Sequence, residues 1–217
     1  MRIILDGMGG DNAPLEIVKG AVEASSKIDH QIVIVGREDE INAELAKYNY
    51  DESKIQVVHA SEVIENEDSP VKAIRRKTDS SMVKGLTMLK DGEGDLFISA
   101  GNTGAYMAGS LFILGRIPGI DRPAISSIYP IAGGALPSII VDAGANSECR
   151  PSNLLEFAIM GSLYMEKVMD RKNARVGLVN LGVEENKGTT VTKAAHKLLK
   201  EADLNFIGNV EARDVPK

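Results

Sequence analysis

Ser99-Ala100-Gly101-Asn102-Thr103-Gly104 follows directly on the apolar run Leu96-Phe97-Ile98, so a strand leads through a glycine turn into the first turn of a helix. The leading N–H groups of a helix have no intrahelical partner and sit at the positive end of its dipole, and glycine lets an anion come close to them. The stretch is a candidate phosphate cradle; a tight strand-to-helix connection with an asparagine cap explains it too. Asp6-Gly7-Met8-Gly9-Gly10-Asp11 repeats the strand–glycine–helix order near the N-terminus. Asp142-Ala143-Gly144-Ala145-Asn146 follows a third apolar run, Ser138 to Val141. Gly9, Gly10 and Asp11, with Asp6 before them, and Gly144 with Asn146 are second-tier candidates for the same cleft, for which turn glycines with capping Asp and Asn are as good an account.

The elements that must position these residues alternate. Arg2 to Leu5, Gln31 to Val35, Lys54 to His59, Asp95 to Ile98, Ala124 to Tyr129, Ser138 to Val141 and Arg175 to Asn180 read as strands. Helices are predicted after Pro14, over Arg37 to Lys47, after the caps at Ser69-Pro70 and Ser80, and from the Asn102 region to Leu114, where Gly115 closes the helix. Asn153 and Glu156 suggest a capping box for a helix reaching about Met169. Thr190 to Glu201 is amphipathic, with Val191, Ala194, Ala195, Leu198 and Leu199 on one face; His196 falls off that face and is expected in solvent, while His59 ends a strand. Strands alternating with helices predict an α/β chain with a mostly parallel sheet, whose strand ends bring the glycine turns to one edge. One domain, residues 1–217, is expected.

Composition narrows the function classes. The 217 residues are 43% hydrophobic, enough for a full core, and carry 31 acidic against 25 basic side chains. A net charge of −6 argues against a general nucleic-acid or membrane-surface binder. A single cysteine, Cys149, leaves no internal disulfide and no cysteine-based zinc site, which fits a reducing cytosol. No apolar run approaches the roughly 20 residues of a membrane span, and the N-terminus lacks a signal-peptide pattern.

Four stretches together resemble the bacterial phosphate acyltransferase family, PlsX. They are Asp6-Gly7-Met8-Gly9-Gly10-Asp11, Arg75-Arg76-Lys77-Thr78-Asp79-Ser80-Ser81-Met82, Ser99 to Gly104 continuing through Gly115-Arg116-Ile117-Pro118-Gly119-Ile120-Asp121-Arg122-Pro123, and Asn205-Phe206-Ile207-Gly208-Asn209-Val210-Glu211. The resemblance implies transfer of a fatty acyl group from acyl carrier protein to inorganic phosphate, giving acyl phosphate for phospholipid synthesis. It also implies a three-layer α/β/α fold of the isocitrate/isopropylmalate dehydrogenase or phosphotransacetylase kind, a cytoplasmic homodimer, and peripheral attachment of the intact protein to the inner face of the membrane. Family members continue past the Asn205–Glu211 stretch, so the chain is expected to be an N-terminal portion lacking about the last third. It departs from the family pattern at Gly7, Asn12, Ala143 and Ser147-Glu148. Asn12 stands where a histidine is common, which removes an acid or base there but leaves a hydrogen-bond donor.

Attack of a phosphate oxygen on a thioester carbonyl requires a held dianion and stabilisation of the developing oxyanion. Phosphate binding is assigned to the backbone of Gly101 to Gly104, with Ser99, Asn102 and Thr103 side chains as further donors. Lys187, just past a strand in Glu184-Glu185-Asn186-Lys187-Gly188, is the candidate catalytic cation; a surface lysine paired with Glu184 is the alternative. Arg75, Arg76 and Lys77, joined by Arg116 and Arg122, are candidates for docking the acidic carrier protein, or mark a solvated helix end. No metal and no cofactor are expected; a metal-dependent dehydrogenase of the isocitrate type would need grouped acidic residues and a nicotinamide site, and no convincing i, i+4 aspartate pair is found on a helix. The rival readings are a phosphotransacetylase-type enzyme using acyl-coenzyme A and an inactive scaffold fragment.

Overall fold

The computed structural model describes residues 1–134 and 136–216. The chain forms two compact units, Met1–Gly115 and Arg116–Lys217.

The first unit is layered. Its strands are β1 (Arg2–Asp6), β2 (Gln31–Gly36), β3 (Ile55–His59) and β4 (Leu96–Ile98), its helices α1 (Leu15–Ser25), α2 (Glu38–Leu45), α3 (Pro70–Arg76), α4 (Ser81–Lys90) and α5 (Thr103–Gly109). The strands make one sheet in the order β3-β2-β1-β4, every pair parallel. Successive strand side chains point to opposite faces, and the run Ile32-Val33-Ile34-Val35 is buried on both. Ile32 and Ile34 pack with Val18 and Ala21 of α1 and Ile41 and Leu45 of α2. Val33 and Val35 pack with Ala73 and Ile74 of α3, Met82 and Leu86 of α4 and Ala105 of α5. The result is the expected α/β/α sandwich. Beyond α5 the chain runs on as a π-helical segment, Ser110–Leu114, that ends at Gly115 as predicted.

The second unit contains β5 (Ser126–Tyr129), β6 (Ser138–Val141), α6 (Pro151–Lys167), β7 (Val176–Asn180), α7 (Thr190–Glu201) and β8 (Phe206–Glu211). β5 and β6 pair antiparallel, since residues 130–137 are too few for a crossover helix. β7, α7 and β8 form a parallel crossover unit packed around Leu178, Ala195 and Leu199.

Two local expectations are corrected. Helix α6 is capped three residues earlier than the sequence suggests: Asn153 Oδ1 accepts from the Arg150 N–H at 2.9 Å, so Asn153 closes the first turn from inside. Glu156 instead accepts from the Asp121 N–H at 2.9 Å. His196 is not in solvent but 5% exposed, because the flank of α7 that carries it lies on β8, edge-on to Phe206.

Candidate functional site

The order β3-β2-β1-β4 means that the chain leaves β1 towards one side for β2 and β3 and returns on the other side for β4. The carboxyl ends of β1 and β4 therefore flank a topological switch point, the place where open α/β sheets bind ligands. The two loops that stand out in the sequence, Asp6 to Asp11 and Ser99 to Gly104, leave the sheet from those two ends.

A buried carboxylate joins them. Asp6 is 2% exposed; its Oδ1 accepts from Ser81 Oγ at 2.5 Å and the Met8 N–H at 3.2 Å, and its Oδ2 accepts from Ser99 Oγ at 2.7 Å. Ser99 Oγ in turn accepts from the Gly101 N–H at 3.1 Å. One side chain thus ties the ends of β1 and β4 to the start of α4. The loops touch so closely that a Cβ on Gly9 would lie 2.6 Å from Asp6 Oδ2 and 2.9 Å from the Gly101 nitrogen. A Cβ on Gly10 would meet the Ala100 carbonyl oxygen at 3.2 Å.

Asn102 caps α5, its Oδ1 accepting from the Ala105 N–H at 2.9 Å. Its Nδ2 is directed at the carbonyls of Glu65, Asn66 and Asp68 at 3.0–3.2 Å. Asn66 Nδ2 donates to Asp11 Oδ1 at 2.8 Å, so Asp11 belongs to the same assembly. The Tyr106 hydroxyl donates to the Phe97 carbonyl at 3.0 Å with the two rings stacked, which anchors α5 to β4; burial pushes that phenol up.

The structure therefore brings Asp6, Gly9, Gly10, Asp11, Ser99, Gly101 and Asn102 together. Ser99 and Asn102 serve there as supports, their donors spent on Asp6 and on the Glu65–Asp68 carbonyls. The groups left to meet an anion are the Thr103 and Gly104 N–H groups, beyond the reach of intrahelical carbonyls, and the exposed Thr103 side chain. Ser81 and Asn66 are the members that sequence reading missed. Both reach the site from segments distant in sequence: Ser81 lies in the family-like stretch Arg75 to Met82, which carries the resemblance but gives it no role, and nothing local to Asn66 announces it.

The basic candidates differ in availability. Arg75 and Arg76 are exposed, and the Arg75 guanidinium lies 5.3 Å from the Phe112 ring centre. Lys77 is turned inward, donating to the Val63 carbonyl at 2.8 Å and to Asp68 at 2.5 Å, and its ammonium holds the Asp68 carboxyl below its usual range.

In the second unit Arg116 donates to the Asp121 carbonyl at 2.8 Å and Arg122 to the Glu148 carbonyl at 2.8 Å. Asp121 also accepts from Arg150 and Asn153. The turn containing Gly144 and Asn146 is built on Asp142, which accepts from the N–H groups of Ile125, Ala145 and Asn146 at 2.7–3.1 Å and from Asn146 Nδ2 at 3.0 Å. Burial pushes the Asp142 carboxyl up, but these donors outweigh it and hold it below its ordinary value.

Lys187 is exposed and takes part in none of the ion pairs among the described residues, so the alternative of a Glu184 partner is not what is seen. Its backbone is fixed instead: the Lys187 N–H donates to the Glu184 carbonyl at 3.0 Å, and the Lys187 carbonyl accepts from Asn180 Nδ2 at 3.2 Å. Among the described residues no cluster of His, Cys, Asp or Glu is placed to hold a metal ion.

Comparison with known proteins agrees with this architecture. Solved phosphotransacetylases share the fold: that of Streptococcus pyogenes superposes with a TM-score of 0.69 at 16% identity over 97% of this chain and 68% of that one. The EutD phosphotransacetylase of Staphylococcus aureus gives 0.66 at 19%, with the same coverage. In sequence, the phosphate acyltransferase of Clostridium tetani is 58% identical and that of Alkaliphilus oremlandii 56%, each over 100% of this chain. The chain spans about 64% of the length of these relatives. A family model described as fatty acid synthesis protein matches residues 1–217. With that match running from first residue to last, and with relatives identical at more than half of the positions, the chain belongs to the fatty acid synthesis protein family.

Proposed function

We propose that this chain carries the phosphate site of an acyltransferase that moves a fatty acyl group from acyl carrier protein to inorganic phosphate, yielding acyl phosphate for phospholipid synthesis. The observation that carries the reading is the pair of glycine loops joined by Asp6 at the β1/β4 switch point, in a chain whose relatives are named phosphate acyltransferase. Phosphate is held by the Thr103 and Gly104 N–H groups and by the Thr103 hydroxyl, with Gly101 letting it approach while the Gly101 N–H stays on Ser99 Oγ. A phosphate oxygen attacks the thioester carbonyl, the C–O bond forms, the C–S bond breaks, and the thiolate leaves to be protonated.

Positioning and fixed donors carry most of such a reaction, and Lys187 neutralises charge that develops in it. Arg75 and Arg76 dock the acidic carrier protein, whereas Lys77 is engaged internally. The same reading takes residues 1–217 as one acyltransferase domain of a cytoplasmic homodimer that works at the inner face of the membrane. No helix among the described residues is long and apolar enough to cross a membrane.

The test is acyl phosphate formation by the full-length protein from phosphate and either acyl-carrier protein or acyl-coenzyme A. The carrier-protein thioester is the expected donor. Preference for the coenzyme A thioester establishes the phosphotransacetylase-type reaction that the shared fold suggests. Absence of phosphate-dependent thiol release with both donors overturns the reading. For docking, reversing Arg75 and Arg76 is expected to flatten the salt dependence of KM for the carrier protein.

A further inference from the structure

Two buried polar side chains in the second unit have no place in the chemistry described so far. Asn209 on β8 is 6% exposed and His196 on α7 is 5% exposed. His196 Nδ1 and Asn209 Oδ1 are 3.1 Å apart, and Asn209 Nδ2 donates to the Glu184 carbonyl at 2.8 Å. A carbonyl only accepts, so the amide must turn its nitrogen to Glu184 and its oxygen to the ring, and His196 Nδ1 must carry the hydrogen. The far side of the ring, Nε2, lies 3.6 Å from Glu185 Oε1, an oxygen that accepts from Lys200 at 2.6 Å.

The Glu184 carbonyl is shared. It accepts from Asn209 Nδ2 and from the N–H of Lys187 itself, at 3.0 Å. Asn180 holds the other side of the same loop, its Oδ1 accepting from the Leu181 N–H at 2.9 Å and its Nδ2 donating to the Lys187 carbonyl. Gly188 completes the turn at φ +93°, where any Cβ would sit 2.2 Å from Asn180 Oδ1.

We propose that Asn209, oriented by His196, is a positioning residue that sets the loop presenting Lys187. The inference rests on the role given to Lys187 above. A buried amide and imidazole are costly unless paired, and an apolar pair would join α7 to β8 as well. What the polar pair adds is direction: a donor aimed at one carbonyl, which in turn fixes the Lys187 backbone.

The test uses the full-length protein. In Asn209→Ala, turnover is expected to fall by up to about 100-fold with KM for the acyl donor little changed, the scale of a catalytic group displaced by about an ångström. His196→Asn, which keeps a donor where Nδ1 stood, should restore most of the rate that His196→Leu loses. Combined with Lys187→Ala, the Asn209 substitution should cost nothing further.

A second readout is independent of activity. Amide hydrogen exchange across Leu181–Gly188, Lys187 included, should accelerate in both Asn209→Ala and His196→Leu while β7 and α7 stay protected. Unchanged loop protection in either variant, or additive losses in the double variant, overturns the proposal. If Lys187→Ala keeps full turnover, the assigned role of Lys187 fails by itself, and the exchange pattern still decides whether Asn209 holds the loop.

Discussion

Each of the two units is stabilised internally by a different balance of forces. In Met1–Gly115 a four-stranded sheet is covered on both faces, and residues such as Ile4, Val33, Ile34, Ile41 and Leu86 have no exposure at all. In Arg116–Lys217 the buried apolar residues among those described are Phe157, Met165, Leu178, Ala195 and Leu199, while Leu163, Leu181 and Val183 are exposed. With so few buried apolar residues, polar side chains carry a larger share of the fastening there: Asn153 ties the start of α6 to Asp121 and Arg150, the half-buried Asp142 builds a turn, and Asn209 with His196 joins α7, β8 and the Lys187 loop. Burial of area is non-directional and sets a rigid frame, whereas hydrogen bonds aim particular groups. The first unit sets Asp6 and its directed bonds inside such a frame, where the two loops meet; the second fixes the loop that carries Lys187 mainly by directed bonds.

The contrast can be broken by substitution. The largest effect is expected for Leu86→Ala, which opens a cavity at a fully buried position and should lower stability by about 2–5 kcal/mol in urea unfolding. A loss well below that range would mean the first unit does not depend on apolar packing as described.

Gly9→Ala should follow. Its new Cβ meets Asp6 Oδ2 and the Gly101 nitrogen, so about 1–3 kcal/mol of overpacking is expected, together with a raised phosphate requirement in acyl phosphate formation. An unaltered phosphate dependence would separate the loop contact from anion binding.

In the second unit Asn153→Ala removes an acceptor from the Arg150 N–H and a donor to Asp121, at about 1–3 kcal/mol, again by urea unfolding. A negligible loss would show that its directed bonds are not what fastens α6.

The smallest effect is in acid. The Asp142 carboxyl is held below its ordinary value of 3.8, so its contribution is complete above that pH and is lost as pH falls through the lower folded value. In the first unit Lys84 and Ser61 do the same to Asp79. Asp142→Asn and Asp79→Asn should each flatten the decline of stability below about pH 4, followed by acid titration of the circular dichroism signal. An unchanged slope in one variant would remove that carboxylate from the account of its unit.

Much of the fold is legible in the residues because its signals are local. Ile32 to Val35 is apolar without alternation, as a strand buried on both faces must be, and Thr190 to Glu201 shows its helix by period alone. The glycines of Asp6 to Asp11 and Ser99 to Gly104 stand out for the same reason. His196 misled because a wheel of apolar residues reports the centre of a buried face and not its polar flank, where an imidazole finds Asn209. Asn153 misled because a capping box can be read from either end, and only the chain path at Arg150 shows which.

From the sequence alone came the order of strands as far as β7, the glycine turns and helices between them, the two candidate loops and the lysine beyond a strand; β8 is not among them. Tertiary structure decided that β4 lies beside β1, so that those two loops meet at a switch point. It decided also that Ser99 and Asn102 support the site with donors already spent, and that Asn209 reaches the Lys187 loop. The physical reason is range. Periodicity and turn chemistry act over a few residues, while the partner of a buried polar group is set by whichever distant segment the packing of the core brings within about 3 Å.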